Sequence, residues 1–261
     1  MSAMTTTTPA AAAPARDLPA RALHGRAVRA ARRRYLRMLA FAGGWFWAGW
    51  AALVLSLPVI VDRWGGVADG LTYDAAGGPV RWVAFAVGVL TTASTLTVHV
   101  AAGGTRRSVL EGGLRAALIV GPVFGVLAAA LTLAEKAVYA DLGRHWQGPS
   151  APLGVDTVTG VVVQVVGESL VVVTYLLVGT AVIAGFRRAG MWRGALLVLP
   201  LLVPAALADL ATRTGLFGLP LRGGYDSVAV GAVATVVGTL VAAALAAVVA
   251  ARMLRAVPIR P

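Results

Sequence analysis

The chain has 261 residues, of which 58% are hydrophobic and only 13% are charged. Soluble globular domains carry about 25% charged residues, so this composition excludes that class and indicates an integral membrane protein. The chain has no cysteine, which excludes disulfides and thiolate metal sites, and three histidines supply few ligands for haem or a metal.

The first forty residues change character near residue 21. Residues 1–20 are rich in Thr, Ala and Pro; they are expected to be disordered and lack the apolar segment of a signal peptide. Residues 21–38 place Arg26, Arg29 and Arg33 at helical spacing, which predicts a basic amphipathic helix lying on an anionic membrane surface. The alternative is a charged tail that only flanks the first membrane span.

Six apolar segments follow, with lengths near the ~20 residues that cross a bilayer core as a helix. Backbone polar groups in hydrocarbon must be hydrogen-bonded internally, so these segments are predicted to be helices. The predicted spans are residues 39–61, 82–102, 114–138, 159–185, 195–211 and 227–253. The predicted fold is an all-α integral membrane protein with a six-helix transmembrane domain over 39–253 and a C-terminal tail over 254–261.

Lysine and arginine are distributed unequally between the two sides of these spans. Seventeen of the 23 basic residues fall in the N-terminal tail, the second-to-third and fourth-to-fifth connections, and the C-terminal tail. Because cytoplasmic loops are enriched in Lys and Arg, both termini are predicted to be cytoplasmic. The Arg, Ala, Val and Gly bias is typical of a GC-rich bacterial genome, which indicates the bacterial plasma membrane. The net charge of +12 then reflects topology, and no nucleic-acid partner is expected.

The usual catalytic and nucleotide-binding motifs are missing. A phosphate-binding loop of the form G-x-x-x-x-G-K-[ST] requires a lysine, and the one lysine, Lys136, lies in AEKAV. The sequence has no H-E-x-x-H motif, and GESLV at residues 167–171 does not fit the G-x-S-x-G nucleophile pattern. The chain is therefore expected to have no ATP-binding site, no cofactor and no enzymatic activity of its own.

A polar stripe lies within the predicted fourth span. Glu168 is the one acid well inside a predicted span, Gln164 precedes it by one turn and Tyr175 follows it by two turns, so the three are expected to share a face. Burial of a charge in the bilayer is expensive, so such residues usually face the bundle interior or water. This stripe is a candidate translocation path. A carboxyl held neutral, or paired with a neighbouring helix to stabilise packing, is the open alternative.

The stretch VHVAAGGTRRSVLEGGLR, residues 98–115, joins the second and third predicted spans on the cytoplasmic side. Its glycines end one helix, its threonine is suited to cap the next, and a Glu–Arg pair has i,i+4 spacing. These residues are Gly103, Gly104, Thr105, Glu111 and Arg115. The stretch is predicted to form a short helix across the cytoplasmic surface, at about 103–113, with exposed arginines available to a partner.

This stretch resembles the permease subunits of type-2 ABC exporters, particularly their compact bacterial form. Those permeases typically carry Gly-x-[Ser/Thr]-Arg-[Arg/Lys] after the second span, followed a few residues later by glycine. The matching residues here are Gly103, Gly104, Thr105, Arg106, Arg107 and Gly112. The basic N-terminal helix, the six spans, the missing ATPase motif and an acidic residue in TLAEKAVYADLG extend the resemblance over roughly residues 21–255.

The resemblance implies a transmembrane subunit that pairs with a second permease copy and with separate ABC ATPase subunits, which bind ATP and Mg. The coupling helix seated in the ATPase would contain Gly103, Gly104, Thr105, Arg106, Arg107, Glu111 and Gly112. The connection between the fifth and sixth spans departs from the family, because it is short for the re-entrant helical pair that many such permeases carry.

Two other function classes are consistent with the sequence. A secondary transporter or channel would use Glu168 in an ion-coupled site, although the two halves show no repeat of the kind found in inverted-repeat transporters. A non-transporting membrane anchor or assembly factor would recruit a cytoplasmic protein through the same arginines. For a transporter, the small number of polar side chains in the spans favours an amphipathic or lipid-like substrate.

Overall fold

The computed structural model describes residues 20–64, 78–146, 155–213, 217, 225 and 227–258. Six α-helices make up most of this part of the chain, which contains no β-strand. They are α1 Ala20–Arg63, α2 Gly78–Ala101, α3 Arg106–Asp141, α4 Val158–Leu201, α5 Val203–Thr212 and α6 Val228–Arg255. The predicted all-α class is confirmed. The predicted disordered tail lies outside the described residues, apart from Ala20, which begins α1.

Among the residues that the structure describes, five helical stretches are long and apolar enough to cross a membrane, which makes the chain compatible with a multi-pass membrane protein. They are Ala20–Arg63, Pro79–Ala101, Arg106–Asp141, Val158–Thr212 and Val228–Arg255. The fourth stretch contains both the fourth and the fifth predicted spans.

The central helix of the bundle is α4, which packs against α2, α3, α5 and α6. Every residue over 171–182 is buried, as expected for a helix whose sequence is apolar on all sides. A Cβ atom at Gly179 would lie 2.2 Å from the Phe85 carbonyl oxygen, and one at Gly88 would lie 2.2 Å from the Leu176 carbonyl oxygen. The backbones of α2 and α4 are therefore in direct contact, a packing that only small residues allow.

The chain reverses direction inside α4 at Gly190. This residue has φ 77° and ψ −179°, a combination that is essentially restricted to glycine. Residues on the two sides of it meet in antiparallel order, because Gly194 packs on Phe186 and Thr212 lies beside Gly167. Residues 158–189 and 191–212 thus form the two arms of a helical hairpin.

The second arm of the hairpin is interrupted at Leu202. There α4 ends and α5 begins, between Pro200 and Pro204. Proline has no backbone N–H and its ring clashes with the preceding turn, so two prolines four residues apart break the helix. The interruption falls inside the predicted span 195–211.

The structure corrects the boundary predicted between an interfacial helix over 21–38 and a first span that starts at 39. Helix α1 continues through it, since Ala20–Arg63 is one helix of 44 residues. Its buried residues recur every three or four positions on both sides of the boundary, as Ala31, Tyr35 and Leu39 show. This face packs against α3, and the helix is uninterrupted at residue 38. The placement of residues 21–38 on a membrane surface stays a prediction.

One end of the bundle carries most of the described arginines, and we call it the basic end. It comprises residues 20–40, 95–115, 185–195 and 250–258. Hydrogen bonds connect its segments: Arg106 Nη1 donates to the Arg255 carbonyl oxygen at 3.1 Å, Arg187 Nη1 donates to Thr97 Oγ1 at 2.8 Å, and His24 Nε2 lies 3.1 Å from Glu111 Oε2. The other end carries exposed ion pairs, of which one joins Arg144 to Asp62.

The contact between α2 and α4 yields a stability prediction. Gly179→Ala places a methyl group against the backbone of α2 and is expected to cost about 1–3 kcal/mol, because two helices must move apart. The loss would be measured as a lower unfolding temperature of the detergent-purified protein. The matched control is Gly44→Ala, where an added Cβ has no atom within 4 Å. Equal unfolding temperatures of the two variants would contradict this packing.

Candidate functional site

A group of charged and polar side chains, the buried ionic cluster, joins α2, α4 and α5. It consists of Arg81, Glu168, Tyr175 and Asp209. The Arg81 guanidinium donates from Nη2 to Glu168 Oε1 at 2.9 Å and from Nη1 to Asp209 Oδ1 at 2.8 Å. The charged side chains of the cluster are at most 6% exposed. One guanidinium therefore binds carboxylates from two different helices inside an apolar bundle.

The Asp209 carboxylate accepts two further hydrogen bonds. The Tyr175 hydroxyl donates to its Oδ2 at 2.7 Å, and the Phe217 backbone N–H donates to the same oxygen at 2.9 Å. A buried charge is tolerated when it is paired and its lone pairs are satisfied, and both conditions hold for Asp209. Among the described residues, the cluster combines the Arg81 guanidinium with the carboxyl groups of Glu168 and Asp209.

The hairpin at Gly190 assembles this cluster from segments that are distant in sequence. Glu168 and Tyr175 are two turns apart on the first arm, and Asp209 reaches them from the second arm, on α5. Arg81 comes from the first turn of α2. The neighbouring Trp82 ring packs edge-on against Tyr175, with centroids 5.7 Å apart, and covers the cluster on one side.

The structure brings together two of the three residues of the predicted polar stripe. Glu168 and Tyr175 belong to the buried ionic cluster, whereas Gln164 donates from Nε2 to Thr132 Oγ1 of α3 at 3.1 Å. Gln164 lies one turn before Glu168 on the same unbroken stretch of α4, but its side chain binds α3, whereas Glu168 binds Arg81 of α2.

Sequence reasoning missed two members of the cluster. Arg81 immediately precedes the predicted span 82–102, so the sequence places it in the connection before that span. Asp209 lies inside the predicted span 195–211 and is fully buried, so Glu168 is not the one acid inside the bundle. A lone aspartate in the apolar run PAALADLAT was the available signal, since such residues are rarely placed in apolar helices without a partner.

The segment predicted as a separate surface helix over 103–113 is the turn before α3 together with the first two turns of α3. Gly103 has φ 81°, the left-handed conformation that ends a helix. Thr105 caps α3, because the Ser108 N–H donates to Thr105 Oγ1 and the Thr105 N–H donates to Ser108 Oγ, both at 3.1 Å. The buried face of α3 begins at Ser108 and Val109, so the helix runs straight into the bundle.

Two glycines of this segment serve contacts within the chain. A Cβ atom at Gly104 would lie 2.3 Å from Cδ2 of His99, and one at Gly112 would lie 2.6 Å from the Cβ of Ala31. Gly104 therefore allows the tight turn after α2, and Gly112 allows α3 to cross α1 closely. Both glycines are explained by packing in this chain, independently of any partner.

The charged residues of the segment differ in exposure. Arg107 is 79% exposed and donates from Nε to Glu111 Oε1 at 2.8 Å. Glu111 also lies 3.1 Å from His24 Nε2 of α1 and 3.9 Å from Arg115. Arg106 is half-buried and is directed toward the end of α6. Of the two adjacent arginines, Arg107 is the more accessible to a partner.

No family model, curated protein or solved structure matches this chain. Within the ranges that the structure describes, no three His, Cys, Asp or Glu side chains gather to form a metal site. The chain is helical and compatible with a multi-pass membrane protein. Its bundle contains a buried ionic cluster and has a basic end.

The buried ionic cluster yields a second stability prediction. Arg81→Gln removes the guanidinium that binds two buried carboxylates and is expected to cost about 3–5 kcal/mol of stability. The matched control is Arg144→Gln, which breaks the exposed pair with Asp62 and is expected to cost about 1 kcal/mol or less. Thermal unfolding of the detergent-purified protein measures both.

A rescue variant separates the charge effect from a simple loss of packing. Glu168→Gln with Asp209→Asn, added to Arg81→Gln, removes both carboxylate charges while it keeps side-chain size. We expect it to recover part of the lost unfolding temperature. An Arg81→Gln protein as stable as the Arg144→Gln control would show that the cluster does not hold α2, α4 and α5 together.

Proposed function

We propose that this chain is the membrane-spanning permease subunit of an ATP-driven type-2 ABC exporter in the bacterial plasma membrane. A separate ABC ATPase subunit would bind ATP and Mg, and a second permease copy would complete the transmembrane unit. The observation that carries the proposal is the Gly103–Thr105 turn, which presents Arg106 and Arg107 at the basic end while the same segment is built into the long helix α3.

The proposed topology has six crossings with both termini in the cytoplasm. The second arm of the hairpin, residues 191–212, is about 33 Å long at about 1.5 Å per residue, which is enough for a bilayer core of about 30 Å. Its reversal at Gly190 turns the fourth apolar stretch into two crossings. The concentration of arginine at the basic end supports a cytoplasmic location for that end.

The proposed coupling mechanism uses α3 as a rigid lever. This helix has 36 residues, or about 54 Å, and extends from the exposed turn through the bundle. It is packed closely along its length, on α1 at Gly112 and on α4 at Gly121 and Gly125. A displacement of its first turn by the ATPase would therefore move α1 and α4 with it, a rigid-body change of the kind that alters access between the two sides of a transporter.

The proposed translocation path would pass near the residues Glu168 and Tyr175, with Gln164 on the side toward α3. Arg81 and Asp209 join this set because they contact the same groups. The largely apolar surroundings of the cluster favour an amphipathic or lipid-like substrate over a small ion. The chain itself would need no cofactor.

One alternative function is supported by a specific observation. In the buried ionic cluster a guanidinium meets carboxylates from two helices inside the bundle, an arrangement that suits an ion-coupled secondary transporter or channel. In that case transport would follow an ion gradient and would not depend on an ATPase. A non-transporting membrane anchor or assembly factor would use the basic end alone and would bind its partner without substrate flux.

The topology is tested with single cysteines, which the chain allows because it has no native cysteine. Arg188→Cys, beside the Gly190 turn, is expected to react with a membrane-impermeant maleimide only after the cytoplasmic side is opened. Asp141→Cys, at the end of α3, is expected to react in intact cells. Labelling of Arg188→Cys in intact cells would contradict the proposed orientation.

The coupling assignment is tested by charge reversal at the basic end. Arg106→Glu with Arg107→Glu is expected to lower co-purification of the ABC ATPase subunit at least about tenfold, because complementary charges at an interface become repulsive. The variant is expected to insert normally, since the new contact with Glu111 costs only about 0.5 kcal/mol. The measurement is the amount of ABC ATPase that co-purifies with the affinity-tagged permease, detected by mass spectrometry.

The matched control is Arg29→Glu with Arg33→Glu, which makes the same charge change at two exposed residues of α1 at the same end. This control should retain the ATPase. Equal recovery with both variants would refute the coupling role of Arg106 and Arg107. Recovery of a different partner, with no ABC ATPase, would favour the anchor alternative.

A further inference from the structure

A groove opens between α1 and α2 at the basic end. The two helices run antiparallel there, with Arg34 Nη2 donating to the Ser94 carbonyl oxygen at 3.5 Å and Tyr35 Oη 2.6 Å from Thr92 Oγ1. Beside these contacts lies a cleft of about 250 Å³. It is lined by Arg34, Arg37, Met38, Phe41, Thr91 and Ser94.

The lining of the groove changes from cationic to apolar along its length. Arg34 and Arg37 are one turn apart on α1, and both are exposed. Phe41 follows one turn further from the basic end and is 68% exposed. Leu90 of α2, which is 56% exposed, lies one turn before Ser94 and therefore on the same face of that helix. A polar headgroup region thus lies above a region that suits a hydrocarbon chain.

Thr91, one of the residues that line the groove, has a buried hydroxyl without a hydrogen-bond partner among the described residues. Thr91 is 1% exposed, yet its Oγ1 makes no hydrogen bond to the described part of the chain. Helical threonines usually satisfy this hydroxyl on the preceding turn, as Thr180 and Thr174 do here. A buried donor without a partner is unfavourable, so an acceptor bound in the groove would satisfy it.

We propose that this groove binds one anionic phospholipid. The lipid phosphate lies between the Arg34 and Arg37 guanidiniums, with an oxygen in reach of Thr91, and an acyl chain lies along Met38 and Phe41. Arginine forks match phosphate oxygens in geometry and charge. The apolar half of the groove selects a lipid over a soluble anion, because a free phosphate would leave that half exposed. This site does not depend on the proposed partner ATPase.

The test measures lipid binding to the whole purified chain by native mass spectrometry in a non-ionic detergent. Titration with phosphatidylglycerol is expected to give one tightly bound lipid, while phosphatidylcholine binds about tenfold more weakly because its headgroup has no net charge. Millimolar inorganic phosphate is expected not to displace the phosphatidylglycerol. Displacement by phosphate alone would overturn the lipid assignment in favour of a simple anion site.

Two variants and one control locate the site. Arg34→Gln with Arg37→Gln is expected to weaken phosphatidylglycerol binding at least about tenfold, because two cations near the headgroup are lost. Ser94→Phe fills the groove without any change in charge and is also expected to weaken phosphatidylglycerol binding. The control, Arg29→Gln with Arg33→Gln, removes two exposed arginines of the same helix and should leave the affinity within about twofold, since neither residue lines the groove.

These variants also cover the case in which one protein fails to fold. If the Arg34 and Arg37 variant cannot be purified, phosphatidylglycerol binding to Ser94→Phe tests the proposal by itself. Unchanged binding with a filled groove would overturn it. An equal loss with the Arg29 and Arg33 control would also overturn it, since binding would then follow the total charge of α1 rather than the groove.

Discussion

The Arg81 guanidinium holds three helices of the bundle together, because it forms ion pairs with Glu168 of α4 and Asp209 of α5 from its own position on α2. In an apolar interior neither carboxylate would be stable alone, so the folded position of each helix depends on the other two. The hairpin at Gly190 is part of the same constraint, since Asp209 reaches the cluster only if the chain reverses there. The glycine contacts between α2 and α4 then place the two backbones close enough for the ion pairs to form.

The two regions that carry functional expectations are connected by packed helices. The Gly103–Thr105 turn is continuous with α3, and α3 packs on α4, which carries Glu168 and Tyr175. A partner that moves the basic end would therefore act on the helix that packs against the buried ionic cluster. Packed helices thus connect the two regions physically. We propose that an ATPase uses this connection. The lipid groove lies on a separate face, between α1 and α2.

Particular residues show why some sequence-based expectations were met and others were not. The break near Pro200 and Pro204 was predictable because a missing N–H acts locally. The extent of α1 was not, because its continuation through residue 38 depends on a buried face that packs on α3. The prediction of a separate helix at 103–113 was wrong for the same reason, because the buried face of α3 already begins at Ser108. Helical spacing predicted that Gln164 and Glu168 share a face, but Thr132 of one neighbouring helix and Arg81 of another bind them separately.

The sequence by itself determined the helical class, the apolar stretches, the unequal distribution of arginine and the cap at Thr105, because each depends on local composition or on neighbours within a turn. The tertiary structure alone decided that Arg81, Glu168 and Asp209 form one cluster, and that a groove with a buried hydroxyl lies between α1 and α2. The pairing of Arg81 with Asp209 joins residues 128 positions apart. Such pairing follows from the order in which helices pack, and spacing along the chain carries no information about that order.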